Sequence, residues 1–169
     1  MTKSILGCVL LAIIACGLDA VAGQANELFR PAMEEIRGKT KIPILLPSKL
    51  PAETNESAIK SVTGDLTDTG YNISLYYEEG CGNACYAGML EGSSHILKKI
   101  PNTQPAKLNN GIKAKFRPVS CGGSCAPANL WWEQAGAMYS IQMKLNSKIS
   151  VKEQKRILVE MANSMTVVR

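Results

Sequence analysis

Three stretches of the chain alternate apolar and polar positions with a period of two, the pattern of β-strands with one buried face. They are YNISLYY at 71–77, GIKAKFRPV at 111–119 and AMYSIQMKL at 137–145. In the second stretch every other residue from Lys113 to Arg117 is basic. The alternation predicts an antiparallel sheet with one apolar face and one solvated, partly basic face.

Two consecutive tryptophans lie in a fourth strand-like stretch, NLWWEQ at 129–134. Because neighbouring side chains on a strand point to opposite faces, only one of them can enter the core. Leu130 shares a face with Trp132, so we expect Trp132 inside and Trp131 outside. An outward Trp131 is a candidate ligand or partner contact, and cover by the N-terminal segment is the alternative. Gly136 then marks a hairpin turn.

The period changes to that of a helix near the C-terminus. Ser150 and Glu153 form a capping box, in which each side chain satisfies an exposed amide of the first turn. The apolar positions that follow are spaced as one helical stripe: Ile157, Leu158, Met161, Ala162 and Met165. We expect this helix to cover the apolar face of the sheet.

The stretch before the strands contains a shorter helix and an extended segment. NELFRPAMEEIRGK, at 26–39, has Asn26 as a candidate cap and Gly38 as a candidate end, and Pro31 shortens or breaks the helix. Residues 44–46 are apolar between prolines and predict an edge strand. The fold class is therefore α+β: a curved antiparallel sheet with a C-terminal helix on its apolar face and a short N-terminal helix. Segments 23–61 and 62–169 form one domain.

The C-terminal part resembles several bacterial extracytoplasmic families of unknown function. The resemblance rests on LWWEQAGAMYSIQMK followed by SVKEQKRILVEMANSM, in which a Trp-bearing strand, a Gly turn and a Tyr-bearing strand precede a helix. That helix ends in an Ala-x-Ser-like box, here Ala162-Asn163-Ser164. Some of these families have anti-sigma or lipoprotein-carrier-like curved sheets. The resemblance implies the fold rather than an activity.

The first 22 residues have the organisation of an export signal. A short basic region with Lys3 precedes an apolar run that is too short to span a bilayer, and Ala-Val-Ala follows. Cleavage between Ala22 and Gly23 is predicted. The alternative is a lipobox at Ile-Ile-Ala-Cys16, which would make Cys16 the lipid-modified N-terminus of an outer-membrane lipoprotein. We therefore expect a periplasmic or secreted protein.

Charge and export together restrict the partners. Nineteen basic and fourteen acidic side chains give a net charge of +5, without a block of five basic residues. A modest, dispersed charge is typical of a solvated surface, and an exported protein does not meet nucleic acid. The expected partner is an envelope component or a small ligand, with membrane attachment only through an N-terminal lipid.

Four cysteines remain after cleavage, in the related units CGNAC at 81–85 and CGGSC at 121–125. In an oxidising compartment an even set predicts disulfides, and a glycine-bearing loop between strands favours the local pairs Cys81–Cys85 and Cys121–Cys125. Cross-pairing would require both hairpin tips at one end of the sheet. Zinc binding, copper binding with His95, and thiol–disulfide exchange are the functional alternatives.

The chain lacks the usual signatures of catalysis. His95 is its single histidine, and neither a phosphate-binding loop nor a zinc-protease motif occurs in the sequence. We predict no enzyme activity, no cofactor and no bound metal. The leading hypothesis is a non-catalytic binding or structural domain stiffened by two disulfides, and the runner-up is a thiol-disulfide or copper-handling protein.

Overall fold

The computed structural model describes residues 27–51, 59–80 and 82–168. Its helices are α1 (Arg30–Ile36) and α2 (Val151–Asn163). Its first strands are β1 (Ile44–Pro47), β2 (Ser61–Thr67), β3 (Gly70–Tyr76), β4 (Tyr86–Ser93) and β5 (Gln104–Lys107). The remaining strands are β6 (Lys113–Arg117), β7 (Ser120–Cys121), β8 (Cys125–Ala126), β9 (Ala128–Gln134), β10 (Ala137–Met143) and β11 (Met165–Val168).

Seven strands form one open antiparallel sheet in the order β2-β3-β4-β10-β9-β6-β5. The α+β class and the mostly antiparallel sheet are therefore confirmed. The turn at Gly136 is also present, because Gln134 pairs with Ala137 across two residues with positive φ, Ala135 at 51° and Gly136 at 76°. Such φ values match the twist of a two-residue hairpin.

Both helices lie on one face of this sheet, which we call the covered face. It carries the predicted apolar positions, including Ile73, Leu130 and Ile141, each fully buried. α2 packs against β9 and β10, and Ile157, Leu158, Met161 and Ala162 join the same core. α1 packs on β2, where a Cβ at Gly64 would lie 2.5 Å from the carbonyl oxygen of Ala32. The helix-covered side is thus a closely packed core.

The predicted capping box is half formed. The Ser150 hydroxyl accepts a hydrogen bond from the Glu153 amide at 3.2 Å, but the Glu153 carboxylate pairs with Arg156 instead of returning to the cap. The Arg156 guanidinium lowers the pKa of Glu153. Met165 was predicted in the helical stripe and that was wrong: the helix ends at Asn163, and Met165 begins β11.

β1 and β11 pair antiparallel as a separate two-stranded sheet, so the predicted edge strand has a partner from the C-terminus. Two tyrosines of the covered face hold it in place. The Leu45 amide donates to the Tyr71 hydroxyl at 3.0 Å, and the Tyr139 hydroxyl donates to the Pro43 carbonyl at 3.0 Å. Burial raises the pKa of both phenols, so they stay neutral donors and acceptors near pH 7.

The N-terminal helix is short, as expected from Pro31. α1 begins one residue before this proline, where the missing amide costs nothing, and it follows a single 3-10 turn at Glu27–Phe29. Gly38, with φ of 72°, follows its end. The candidate cap Asn26 lies outside the described residues. No helix in the described ranges has the length and apolarity needed to cross a bilayer.

Candidate functional site

The face of the sheet opposite the helices, which we call the open face, carries a pocket of about 630 Å³. Its walls come from the connection between β4 and β5, residues 94–103, and from β6, β9 and β10. Alternation places Lys113, Lys115, Trp131 and Met138 on this face, since their chain neighbours Ala114 and Trp132 are in the core.

The pocket walls are mainly apolar. The apolar lining consists of Ile96, Leu97, Ile100, Trp131 and Met138, together with Ile112 and Trp132, which also pack against the main core. Ile96 is 37% and Leu97 is 41% exposed, which is unusual for large aliphatic side chains that follow each other in the chain. Ile100 is buried, although it lies outside the main core. An exposed apolar wall of this kind is typical of an interaction site.

Charged side chains surround the pocket, and three of the four are cations. Lys98, Lys113 and Lys115 line it together with a single carboxylate, Glu133. Lys113 is also the direct cross-strand partner of Lys107 on β5, so two like charges face each other. Within the described residues none of these four lysines takes part in an ion pair. The pocket therefore carries an excess of positive charge.

Trp131 is on the open face as predicted, but its side chain is only 8% exposed. The Arg117 guanidinium lies over its ring, 4.9 Å from the centroid, which is cation–π geometry. The alternative cover, the N-terminal segment, is not supplied by α1, because α1 lies on the covered face. Trp131 thus lines the pocket, and the Arg117 guanidinium packs over its ring.

A polar strip crosses the middle of the open face. The Ser140 hydroxyl donates to the Glu91 carboxylate at 3.0 Å, and the Tyr86 hydroxyl donates to the Gln142 side-chain oxygen at 2.7 Å. Burial and the nearby Tyr76 raise the pKa of Tyr86 to about 12. Three buried polar atoms of this face have no hydrogen-bond partner within residues 27–51, 59–80 and 82–168: Asn72 Oδ1, Arg117 Nε and Asn129 Oδ1.

The two cysteine units lie at the same end of the sheet. One follows β3 and the other follows β6, and the register of Met143 with both Ala128 and Gly88 places these hairpin ends side by side around β10. The structure contains the local disulfide Cys121–Cys125 with an S–S distance of 2.07 Å. Cys85 is also disulfide-bonded. Cys81 lies outside the described residues.

The other candidate residues do not meet at a site. His95 is exposed, and its backbone amide donates to the Ser93 hydroxyl at 3.0 Å. In the described part of the chain no group of three His, Cys, Asp or Glu side chains could hold a metal ion. Cys16, Ala22 and Gly23, which carry the lipidation and cleavage predictions, lie outside the described residues.

Sequence reasoning placed Trp131 on the outer face of its strand but did not identify the segment that builds the pocket beside it. Ile96, Leu97 and Ile100 have neither strand nor helix periodicity, so they carry no regular structural signal. The available sign was the apolar pair Ile96-Leu97 itself, placed between polar residues and followed by Lys98-Lys99. Comparison of the chain with protein-family models, curated proteins and solved structures finds no match.

Proposed function

We propose that this chain is an exported bacterial envelope protein that binds a small apolar ligand, without catalysis, in the pocket beside Trp131. The observation that carries the proposal is the pocket itself. Its volume of about 630 Å³ is within the range of about 300–1,000 Å³ that is typical of small-molecule sites. Its apolar walls with a few charged groups also match such sites.

The exposed apolar pair supports a binding role for this pocket. Water contact at Ile96 and Leu97 costs free energy that a bound apolar group would recover. The central part of the wall consists of the paired strands β6, β9 and β10, and only the 94–103 connection is irregular. A site built on strands is positioned more precisely than a site built on loops.

The chemistry of the lining favours binding over catalysis. In the described residues the pocket lining contains lysines and one glutamate, and no cysteine, serine or histidine. A nucleophile and a base within hydrogen-bond reach are the usual requirement for covalent catalysis. The cysteine units are at the end of β3 and β6, and the pocket-lining residues of β6 start at Lys113, at the other end of that strand.

A paired substitution tests the binding proposal. The probe is the neutral fluorescent reporter N-phenyl-1-naphthylamine, and the variant is Ile96→Gln with Leu97→Gln. We expect saturable one-to-one binding by the natural protein and a loss of about tenfold or more in the variant, since two apolar wall contacts are removed. Both side chains are already exposed, so the fold should be kept.

The matched control is Leu66→Gln, a change of similar chemistry at a side chain that is 47% exposed on β2. Leu66 is at the opposite edge of the sheet from β5 and β6. We expect it to leave reporter binding unchanged. Absence of saturable binding, or an equal loss in Leu66→Gln, would show that the pocket is not a ligand site.

Export and the disulfide scaffold stay predictions that two mass measurements test. The intact mass of the exported protein is expected to begin at Gly23, and a lipid-modified Cys16 would replace soluble export by membrane anchoring. Non-reducing peptide mapping is expected to join Cys81 to Cys85 and Cys121 to Cys125. Free thiols or stoichiometric copper in the exported protein would instead support a thiol-disulfide or copper-handling role. The curvature of the sheet and the likeness to extracytoplasmic families are also predictions.

A further inference from the structure

We infer that the pocket takes a single-chain anionic amphiphile, with its apolar tail along the aliphatic wall and its acidic headgroup at the lysines. The inference deepens the proposed function and rests on it. It assigns a ligand class from two features of the same cavity: the apolar side chains on one side and the excess of cations around them.

The sign of the headgroup follows from the charge balance at the pocket. Lys98, Lys113 and Lys115 face one carboxylate, Glu133. Lys107, directly opposite Lys113 on the neighbouring strand, adds a fourth cation at this edge. Like charges directly opposite on a sheet repel each other, and an anion between them would relieve that repulsion. A cationic headgroup would increase it.

The tail follows from the shape of the apolar wall. Ile96, Leu97 and Ile100 come from the connection, while Trp131 and Met138 come from the sheet, so an apolar chain can lie between two walls. The lysine side chains extend this surface, because their methylene stems are apolar and only their tips are charged. A ligand with both a tail and an acidic group can therefore contact the apolar wall and the lysines at the same time, which neither part could do alone.

The size of the pocket favours one chain taken up as a monomer. A volume of about 630 Å³ corresponds to one ligand of ordinary small-molecule size, within the range of about 300–1,000 Å³. A bilayer surface would instead need a broad basic patch on the outside of the protein. Fatty acids and single-chain phosphate esters share the required chemistry.

The test measures the affinity for four probes with the disulfide-intact exported protein. The probes are dodecanoate, dodecyltrimethylammonium with the same tail and the opposite charge, butanoate with the same head and almost no tail, and phosphatidylglycerol vesicles. We expect dodecanoate to bind about tenfold more tightly or better than the cation. Butanoate and the vesicles should bind weakly or not at all, and added salt should weaken dodecanoate binding.

Two variants of equal net charge locate the headgroup. Lys113→Gln with Lys115→Gln is expected to weaken dodecanoate binding by about 2- to 30-fold, as for the loss of two exposed charge contacts. The control, Lys148→Gln with Lys152→Gln, removes two exposed lysines near the start of α2 and should have no effect. The Lys148 and Lys152 pair should leave binding of neutral N-phenyl-1-naphthylamine unchanged. The Lys113 and Lys115 pair should weaken reporter binding less than dodecanoate binding, because glutamine keeps part of the apolar stem and loses only the charge.

Each contrary result has a distinct meaning. Equal affinity for dodecanoate and the cation, or equal losses of affinity in the two lysine variants, would overturn the assignment of an anionic headgroup. Binding of the neutral reporter would still support the proposed function in that case. Binding to vesicles without binding to monomeric dodecanoate would overturn the pocket as the place of recognition. If neither dodecanoate nor the neutral reporter binds, the proposed function itself fails.

Discussion

Trp131 and Trp132 are neighbours in the chain, but they lie in two different environments that the sheet separates. Trp132 is on the covered face, stacked on Tyr139 with ring centroids 5.8 Å apart, within a core closed by both helices. Trp131 is on the open face, beside a pocket and under the Arg117 guanidinium. One strand therefore contributes to a closed core with one side and to the wall of an open pocket with the other.

The two faces also differ in whether their buried polar groups have hydrogen-bond partners. On the covered face the buried Gln154 side chain accepts from the Val119 amide at 2.9 Å and donates to the Ile149 carbonyl at 3.1 Å, so both ends are satisfied. Among the residues that the structure describes, the buried side-chain atoms without a hydrogen-bond partner all belong to open-face residues: Asn72, Arg117 and Asn129. Unsatisfied buried groups are costly in a core and are more common where function requires them.

The largest expected effect separates the two tryptophans. Trp132→Ala should lower the free energy of unfolding by about 3–5 kcal/mol, because it leaves a cavity in a close-packed core. Trp131→Ala should cost less, about 1–2 kcal/mol, since its ring borders an existing pocket. Urea unfolding measures both. In buffer without denaturant, Trp131→Ala should lose binding of the reporter.

A larger loss of stability in Trp131→Ala than in Trp132→Ala would contradict this difference between the two faces. The difference would also be contradicted if Trp131→Ala kept full affinity for the reporter, since Trp131 would then have no part in the binding wall. Trp132→Ala is not informative for binding, because its core is expected to be loosened.

Much of the covered face could be predicted from the sequence, because local rules determine it. Period-two alternation identified β3, β6 and β10, and the cap at Ser150 identified the start of α2. The exception was Met165, whose helical spacing continues past a helix that ends at Asn163. Its pairing as part of β11 with β1 depends on contacts far apart in the chain, which periodicity does not report.

The open face could be predicted only in part, because its pocket depends on contacts between residues that are far apart in the chain. Trp131 follows from alternation, but the pocket exists because residues 94–103 lie beside strands that come later in the chain. No local pattern indicates where an irregular connection goes. The excess of positive charge at Lys113 likewise depends on its register with Lys107, which only the folded sheet defines.

The next largest effect tests how closely the covered face is packed. Gly64→Ala should lower stability by about 1–3 kcal/mol, the usual cost of overpacking. A Cβ there would lie 2.5 Å from the Ala32 carbonyl oxygen, and backbone atoms of α1 can move only with the whole helix. The control is Gly122→Ala in the Cys121–Cys125 loop, where nothing lies within 4 Å of the added Cβ. Equal melting temperatures for the two variants would mean that α1 does not rest on β2.

A smaller effect tests the start of the covering helix. Ser150→Ala removes the side chain that accepts from the Glu153 amide, and we expect a loss of about 1 kcal/mol in the free energy of unfolding. Ser147→Ala, in the preceding loop at an exposed position, serves as the control. Binding of the neutral reporter should be the same in both variants, because the helix is on the other face. A change in affinity would show that the two faces are coupled.

We propose that the ligand binds on the open face, and backbone amide chemical shifts can locate the bound ligand residue by residue. Titration of the isotope-labelled, disulfide-intact protein with N-phenyl-1-naphthylamine should shift amides of residues 96–100, 112–115 and 131–138. Amides of α2 and of the Cys121–Cys125 loop should stay in place. Saturable shifts centred on α2 or on the cysteine loops, with the 96–100 segment unchanged, would show that the ligand binds away from the open-face pocket.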